Sequence, residues 1–397
     1  MAVDLKRLRT LSGQVAVVGV GETDFAADFA AQRGLAPAGY VPLDNAGLAS
    51  LAFERALKES GLARRDIDGL GVCAPFLNHE AMGEHLGLDV TYQDGGMSFE
   101  MMPRAVAAIA SGQCDTIALL FGLAQRSGGA QYGGSSIRSG PPAYYYYHPW
   151  GWSGQPAHWA LMFNAYQLRY GGTEEQLGAV ATTFRRHAML TPNAVMRTPM
   201  TIEDYLACRY IVRPLRLFDL CVVHDGGVCI ILQRAAMAKD RPHTPVLVDG
   251  VGVRAGGRDN SQLRGLVDGH LREYLKTSGD MCFGMAGLQP KDIDTMQVYD
   301  SGSPHVPIQL EGFGFCKPGE GLDFIQDGRI GLGGELPMNT SGGQLSGSYT
   351  MGFSQMVECV RQLRGEAGER QVQDARTALF CQCSGIGSFP IIFRRGD

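Results

Sequence analysis

Met338-Asn-Thr-Ser-Gly-Gly-Gln-Leu-Ser-Gly-Ser-Tyr-Thr-Met-Gly-Phe353 is crowded with small and turn-forming residues, yet it carries one large polar side chain, Tyr349. Gly342, Gly343, Gly347 and Gly352 allow sharp turns and close approach of other groups. A helix-compatible run follows from Phe353 to Leu363. A glycine-rich loop that feeds a helix can present backbone N–H groups and a positive dipole end to an anion or oxyanion. Taken alone the stretch reads more readily as a structural turn, so its companions in the chain decide.

Two companions stand out. Upstream, Met296-Gln-Val-Tyr-Asp-Ser-Gly-Ser-Pro-His305 reads as a short strand ending in a polar turn that offers Tyr299 and Asp300. Downstream, Leu379-Phe-Cys-Gln-Cys-Ser-Gly-Ile-Gly-Ser388 reads as a strand running into a glycine turn. In this order and at these spacings the three stretches resemble the three C-terminal active-site loops of the thiolase superfamily. The resemblance is closest to the branch related to the thiolase part of sterol carrier protein x. That family carries Asn-Glu-Ala-Phe or His-Asp-Cys-Phe, then Gly-His-Pro-x-Gly, then Cys-x-Gly-Gly-Gly-x-Gly. Here Tyr299 stands where the Asn or His would be, Tyr349 replaces the loop histidine, and Cys381 stands at the acid/base cysteine. The resemblance also makes Asp300, Gly343, Ser348, Gly385 and Gly387 candidate substrate or oxyanion-loop residues.

The resemblance implies an α/β thiolase fold. Two duplicated βαβαβαββ halves would form a five-layered α-β-α-β-α core with an inserted loop domain. The expected boundaries are 1–122 with 223–245 for the N-terminal half, 123–222 for the insertion and 246–397 for the C-terminal half. An internal repeat supports the duplication independently of the loops. Gly61-Leu-Ala-Arg-Arg-Asp-Ile-Asp68 recurs as Gly287-Leu-Gln-Pro-Lys-Asp-Ile-Asp294, each copy after a helical pattern and before a strand. The repeat sets Cys73 opposite Tyr299, each five residues beyond its Asp-Ile-Asp.

The rest of the chain reads in the same terms. Val15 to Gly21 is a buried-strand pattern, Leu43 to Gly61 a helix with a glycine stop, and Asp115 to Gly122 a strand. Thr91 to Ser98 reads as a loop entering a helix over Met101 to Gly112. In thiolases that helix starts at the nucleophilic cysteine. Between Cys73 and Cys114 this chain has none, and Gly95, Gly96 or Met97 occupies the place. Pro141 to Trp152 packs six aromatic residues into twelve positions, suited to a dimer interface or loop-core packing, or to the wall of an apolar substrate pocket. Ala157 to Tyr170 and Glu174 to Met189 read as helices, and His224, before Asp225-Gly-Gly, reads as structural.

Composition sets outer bounds. With 397 residues, 45% hydrophobic and 19% charged, the chain can bury a sizeable core. A formal charge of −5 gives no electrostatic case for nucleic acid. No apolar run reaches membrane-spanning length, and the N-terminus lacks a signal-peptide pattern, so a cytoplasmic protein is expected. The ten cysteines sit mostly in apolar runs as buried thiols, and Cys381-x-Cys383 without a second pair does not make a zinc site.

Without the usual nucleophile, covalent acyl transfer is not available, but a thioester enolate can still be formed or quenched. Retro-aldol cleavage beside a thioester needs a base for a β-hydroxyl proton and no covalent intermediate. A tyrosine serves if its phenol is acidified from its usual pKa of about 10. Tyr299 and Tyr349 can divide the base and acid roles in either order. This pattern is similar to the thiolase-like steroid side-chain aldolases. The resemblance implies cleavage of a β-hydroxyacyl-CoA, such as a 17-hydroxysteroid with a three-carbon side chain, to a ketone and propionyl-CoA. It also implies a homodimer bound to an OB-fold/zinc-ribbon protein, with or without a fused MaoC-like hydratase. Zinc would then belong to that partner, with no covalently bound cofactor here and a CoA thioester as substrate. Two alternatives stay open: a divergent 3-ketoacyl-CoA thiolase or acyltransferase using Cys381, and a non-catalytic acyl-CoA-binding subunit.

Overall fold

The computed structural model describes residues 4–74, 76–129, 154–255, 270–384 and 387–396. Val15–Glu22 (β1), a run of small and β-branched residues, is buried along its whole length, as expected of a strand covered on both faces. Eight further strands join it in one mixed sheet. They are β2 (Gly69–Cys73), β3 (Tyr92–Gly96), β4 (Thr116–Ala124), β5 (Asp225–Arg234), β6 (Val246–Val251), β7 (Thr295–Val298), β8 (Thr377–Cys381) and β9 (Ile391–Arg395). Their spatial order is β7-β8-β9-β6-β1-β5-β4-β2-β3.

The seam of the duplication lies between β1 and β6, which pair antiparallel from Val15↔Val248 to Val17↔Val246. Outward from it the two halves repeat one order, β1-β5-β4-β2 on one side and β6-β9-β8-β7 on the other. In each half the outer two of these strands run parallel, β2 with β4 and β7 with β8. Among the described residues only the first half carries an extra edge strand, β3.

Among the described residues, the eight helices of eight or more residues cover and divide the sheet: α1 (Asn45–Ser60), α2 (His79–Leu86), α3 (Ser98–Ala110), α4 (Gln155–Tyr170), α5 (Glu174–Met189), α6 (His270–Ala286), α7 (His305–Gly312) and α8 (Phe353–Arg364). Residues of α3 and α8 share one apolar cluster with inward side chains of both half-sheets, including Ile230 and Phe393. On the outer face of the first half, α1 and α2 pack with Val72 and Ile231. On the outer face of the second, α6 and α7 pack with Leu379 and Ile392, and α4 and α5 extend that cluster. The layers run helix, sheet, helix, sheet, helix, the thiolase arrangement.

The sequence repeat is explained by the work its residues do. Gly61 and Gly287 both adopt left-handed backbone, at φ +69 and +71, after α1 and α6, where a side chain would be strained. Asp66 accepts the Ala63 N–H and Asp292 the Gln289 N–H, each at 2.8 Å. Asp68 accepts the N–H groups of Asp115 and Thr116, and Asp294 those of Arg376 and Thr377. Each second aspartate thus ties the entry of one strand to the start of its parallel neighbour, β2 to β4 and β7 to β8.

One expectation needs correction. The stretch read as a loop from Thr91 contains β3, paired parallel with β2 from Gly69↔Tyr92 to Cys73↔Gly96. Its Tyr-Gln-Asp-Gly-Gly sequence shows no alternation because it lies at the sheet edge with no fully buried residue. Of the described residues between β4, which ends at Ala124, and β5, which begins at Asp225, none joins the main sheet. There α5 begins with a capping box in which Thr173 and Gln176 exchange backbone N–H bonds of 3.0 and 3.1 Å. The aromatic stretch 141–152 lies outside the described residues. Among the described residues no helix is long and apolar enough to cross a membrane.

Candidate active site

The first and third loops leave the sheet side by side. Parallel pairing sets Val298 opposite Cys381, and the Tyr299 N–H donates to the Cys381 carbonyl at 2.8 Å. Val298, Leu379, Cys381 and Cys383 all belong to the outer cluster, whereas Tyr299, Ala378 and Phe380 belong to the central one. Strand alternation therefore turns the Cys381 thiol to the opposite face from Tyr299. There burial, with the neighbouring thiols of Cys383, Cys359 and Cys282, pushes its pKa well above the usual thiol value.

Tyr299 is brought to the second loop's tyrosine: the side chains of Tyr299 and Tyr349 hydrogen-bond to each other. Tyr299 is buried and Tyr349 half-buried. Phe99, from α3, meets the Tyr299 ring edge-on at 6.0 Å, and Phe389 packs on Phe99 at 5.4 Å. Gly352 is required for this packing. Its φ is +91, and a Cβ there would lie 2.7 Å from the Phe380 ring and 3.6 Å from that of Tyr299. Burial first, then the neighbouring Tyr349, raises the Tyr299 pKa well above 10. The expectation of an acidified phenol is therefore corrected for Tyr299, which holds its proton at neutral pH because its surroundings are apolar.

The glycine loop is held differently from expectation too. Asp300 is wholly buried, and its carboxylate accepts the Gln344 N–H at 2.8 Å, the Leu345 N–H at 3.3 Å and the Gln355 amide at 3.0 Å. Gly343, at φ +58, has no room for a Cβ beside that carboxylate. Farther along, Ser346 and Gly347 donate to the Gly342 carbonyl, Ser348 donates to Gly343, and the Tyr349 N–H donates to His224 Nε2 at 2.7 Å. Every backbone N–H from Gln344 to Tyr349 is thus engaged within the protein. The anion this loop cradles is the protein's own Asp300. Burial, opposed by these bonds, lifts that carboxyl to about 7.

Several residues that fix the site carry no motif. His224 accepts the Tyr349 N–H through Nε2 while Nδ1 faces the Asp225 carbonyl at 2.7 Å, which sets a neutral ring protonated on Nδ1. Burial lowers its pKa to about 4. Asn339 brackets Val298, accepting its N–H at 2.7 Å and donating to its carbonyl at 2.9 Å. Buried Arg185, on α5, donates to Ser346 Oγ at 2.9 Å and to the Thr198 carbonyl at 3.1 Å. The only foreshadowing was the location of His224 beside Asp225-Gly-Gly.

At the start of α3, where the sequence lacks the thiolase cysteine, Met97 is the N-cap and Ser98 the first helical residue. Ser98 donates its hydroxyl to the Met351 carbonyl. Met351, at φ +53, lays its sulfur 3.9 Å from the Cys73 thiol, which burial pushes up to about 12. Of the other candidates, Ser348 borders a small cavity of about 20 Å³ with Arg361 and Glu22. Gly387 pairs with Ala255 in a short ladder that also holds Ser384, and Gly385 lies outside the described residues.

Among the described residues one metal-like group occurs, Glu59, His243 and Glu366, within 4.8 Å of one another. Arg364 already pairs with Glu59 and stands 4.0 Å from Glu366, and His243 lies 2.7 Å from Glu366, so both carboxylates already have partners within the protein.

Comparison with known proteins agrees with this fold. Residues 259–392 match the family model of the thiolase C-terminal domain. The chain is 34% identical to the 17-hydroxy-3-oxo-4-pregnene-20-carboxyl-CoA lyase of Mycobacterium tuberculosis, over 89% of this chain and 92% of that one. It is 32% identical to the steroid side-chain-cleaving aldolase of Thermomonospora curvata, over 97% of this chain and 99% of the other. Among solved structures, an Ltp2-ChsH2(DUF35) aldolase superposes with a TM-score of 0.84 at 30% identity, over 97% of this chain and 98% of that one. Human mitochondrial 3-ketoacyl-CoA thiolase superposes at 0.68 with 14% identity, over 98% of this chain and all of that one, and shares the fold.

Proposed function

The chain belongs to the thiolase superfamily, within its steroid side-chain-cleaving aldolase branch, and is a carbon–carbon lyase; from that premise we propose that a Tyr299–Tyr349 pair performs retro-aldol cleavage of a β-hydroxyacyl-CoA. The favoured substrate is a 17-hydroxysteroid bearing a three-carbon side chain as its CoA thioester, and the products are a 17-ketosteroid and propionyl-CoA. The observation that carries this reading is the hydrogen bond between the Tyr299 phenol, at the end of β7, and the Tyr349 phenol, from the glycine loop.

The proton account closes within the pair. One phenol, ionised, takes the proton of the substrate hydroxyl. The bond between the β- and α-carbons then breaks, the ketone forms, and the electron pair passes into the thioester enolate. The other phenol returns a proton to the α-carbon, and transfer along the shared hydrogen bond restores the starting state. Tyr299, held protonated by burial, is assigned the acid. Tyr349, half-buried and fixed at its backbone by His224, is assigned the base. Because the pair must lose one proton, cleavage is expected to rise with pH into the alkaline range.

A thiolase reading would require Cys381 as a thiolate, against its burial and its raised pKa. The proposed assembly is a homodimer carrying a DUF35-type OB-fold/zinc-ribbon partner, on the pattern of the Ltp2-ChsH2(DUF35) aldolase. The test is incubation of the steroid thioester with the chain alone and with such a partner, with products identified by mass spectrometry. Formation of the 17-ketone and propionyl-CoA is expected. Intact thioester under both conditions, with turnover of a 3-ketoacyl-CoA and free CoA instead, would reject the proposal.

A further inference from the structure

Gln382 lies between Cys381 and Cys383 and is wholly buried, yet neither end of its side-chain amide has a hydrogen-bond partner. Other buried glutamines near the site are at least half satisfied. The Nε2 groups of Gln297, Gln309 and Gln344 donate to Thr340, to the Tyr299 carbonyl and to Gln355. Burying an amide with both ends unpaired is costly, and such a group calls for an explanation.

Its position supplies one. Val298 pairs with Cys381 in parallel register, so Gln382 is in step with Tyr299 on the neighbouring chain. Cys381 and Cys383 both turn to the outer cluster, and alternation turns Gln382 to the face of Phe380 and Tyr299. Its carbonyl accepts the Phe389 N–H at 3.0 Å, and Phe389 packs on the ring that packs on Tyr299. A fixed backbone therefore turns an unpartnered amide to the face that carries the acid of the proposed pair. Meanwhile the backbone N–H groups from Gln344 to Tyr349 are all engaged, so the second loop has none of these to offer a developing oxyanion.

We infer that Gln382 is a further catalytic residue, whose amide N–H donates to the thioester oxygen as the breaking carbon–carbon bond delivers its electron pair there and the enolate forms. This rests on the retro-aldol reading above. A donor aimed at charge that develops only in the transition state acts on kcat more than on KM.

The experiment replaces Gln382 by Met, which keeps length and removes the amide, and by Asn, which keeps the amide but withdraws it by one methylene. Each variant is assayed for steroid thioester cleavage and for exchange of the propionyl-CoA α-hydrogen in D2O, which reads enolate formation without the ketone. The expected result is a roughly 100-fold or greater fall in kcat and a parallel fall in exchange, with KM changed by less than about threefold. The Tm of Gln382→Met should be unchanged or higher, since an unpaired buried amide has gone. A folded Met or Asn variant that retains both rates within about threefold would overturn the inference and leave the aldolase reading intact. Absence of cleavage and exchange in the unsubstituted protein would overturn that reading, and this inference with it.

Discussion

Cys73 and Tyr299 occupy equivalent places in the two halves, each five residues beyond its Asp-Ile-Asp, but their surroundings differ in kind. Cys73 is sealed by Met351 and by the start of α3, where the Ser98 hydroxyl is spent on the Met351 carbonyl. Tyr299 meets a second phenol and sits in step with an unpaired amide. The scaffold is shared down to the carboxylates of Asp68 and Asp294. A duplicated fold can thus keep its mechanical parts in both copies and its polar strand ends in one.

The largest effect expected from breaking this comparison is at the tyrosines. Tyr299→Phe and Tyr349→Phe should each lower kcat by about 10²- to 10⁴-fold, the usual contribution of a positioned acid or base, with both variants folded. Cys73→Ala, at the matching position of the other half, should leave kcat within a few-fold while lowering Tm through the lost packing. Steady-state kinetics beside thermal melts distinguishes the two behaviours, and a large kcat loss in Cys73→Ala would break the assignment of chemistry to one half.

The shared scaffold predicts a smaller and symmetrical effect. Asp68→Ala and Asp294→Ala each remove an acceptor of two backbone N–H groups at a strand entry, and each should cost roughly 1–3 kcal/mol of stability. Denaturant unfolding of the two variants would test whether the halves match, and kcat of the folded fraction should stay near the parent value.

The last effect concerns pH and is read as a sign rather than a size. Burial lifts Asp300 to about 7, so the folded state holds a proton that the unfolded chain releases near the usual carboxylate value of about 3.9. Between those values the unfolded state binds fewer protons, and the Asp300 contribution to stability falls as pH rises, levelling off above about 7. Relative to Asp300→Asn, the unsubstituted protein should therefore lose stability from about pH 5 to about pH 7. A relative gain in that window, read from unfolding curves across pH, would contradict the sign.

The sequence revealed the features that repeat or match a loop pattern. Gly61 and Gly287 with their two aspartates were visible because the same turn and strand entry demand the same residues twice. The positions of Tyr299 and Tyr349 were visible through the loops that carry them. The raised pKa of Tyr299 was not, since it depends on burial and then on Tyr349 and Cys221, which are distant in the chain and close in space. Asp300 looked like a substrate-loop residue because its partners, the N–H groups of Gln344 and Leu345, carry no side-chain signature. Gln382 filled an unspecified place between two cysteines, and only the strand register reveals which way it faces.

The central claim is that carbon–carbon cleavage here runs through the tyrosine pair and an enolate, without a cysteine thiolate or free CoA. The most direct test is cleavage of the 17-hydroxysteroid three-carbon-side-chain CoA thioester in D2O, with no added CoA, by the parent protein and by Cys381→Ala. The account predicts a 17-ketone and propionyl-CoA carrying one deuterium at its α-carbon, at similar rates in both proteins. Turnover that appears only when free CoA is supplied, and is lost in Cys381→Ala, would contradict it.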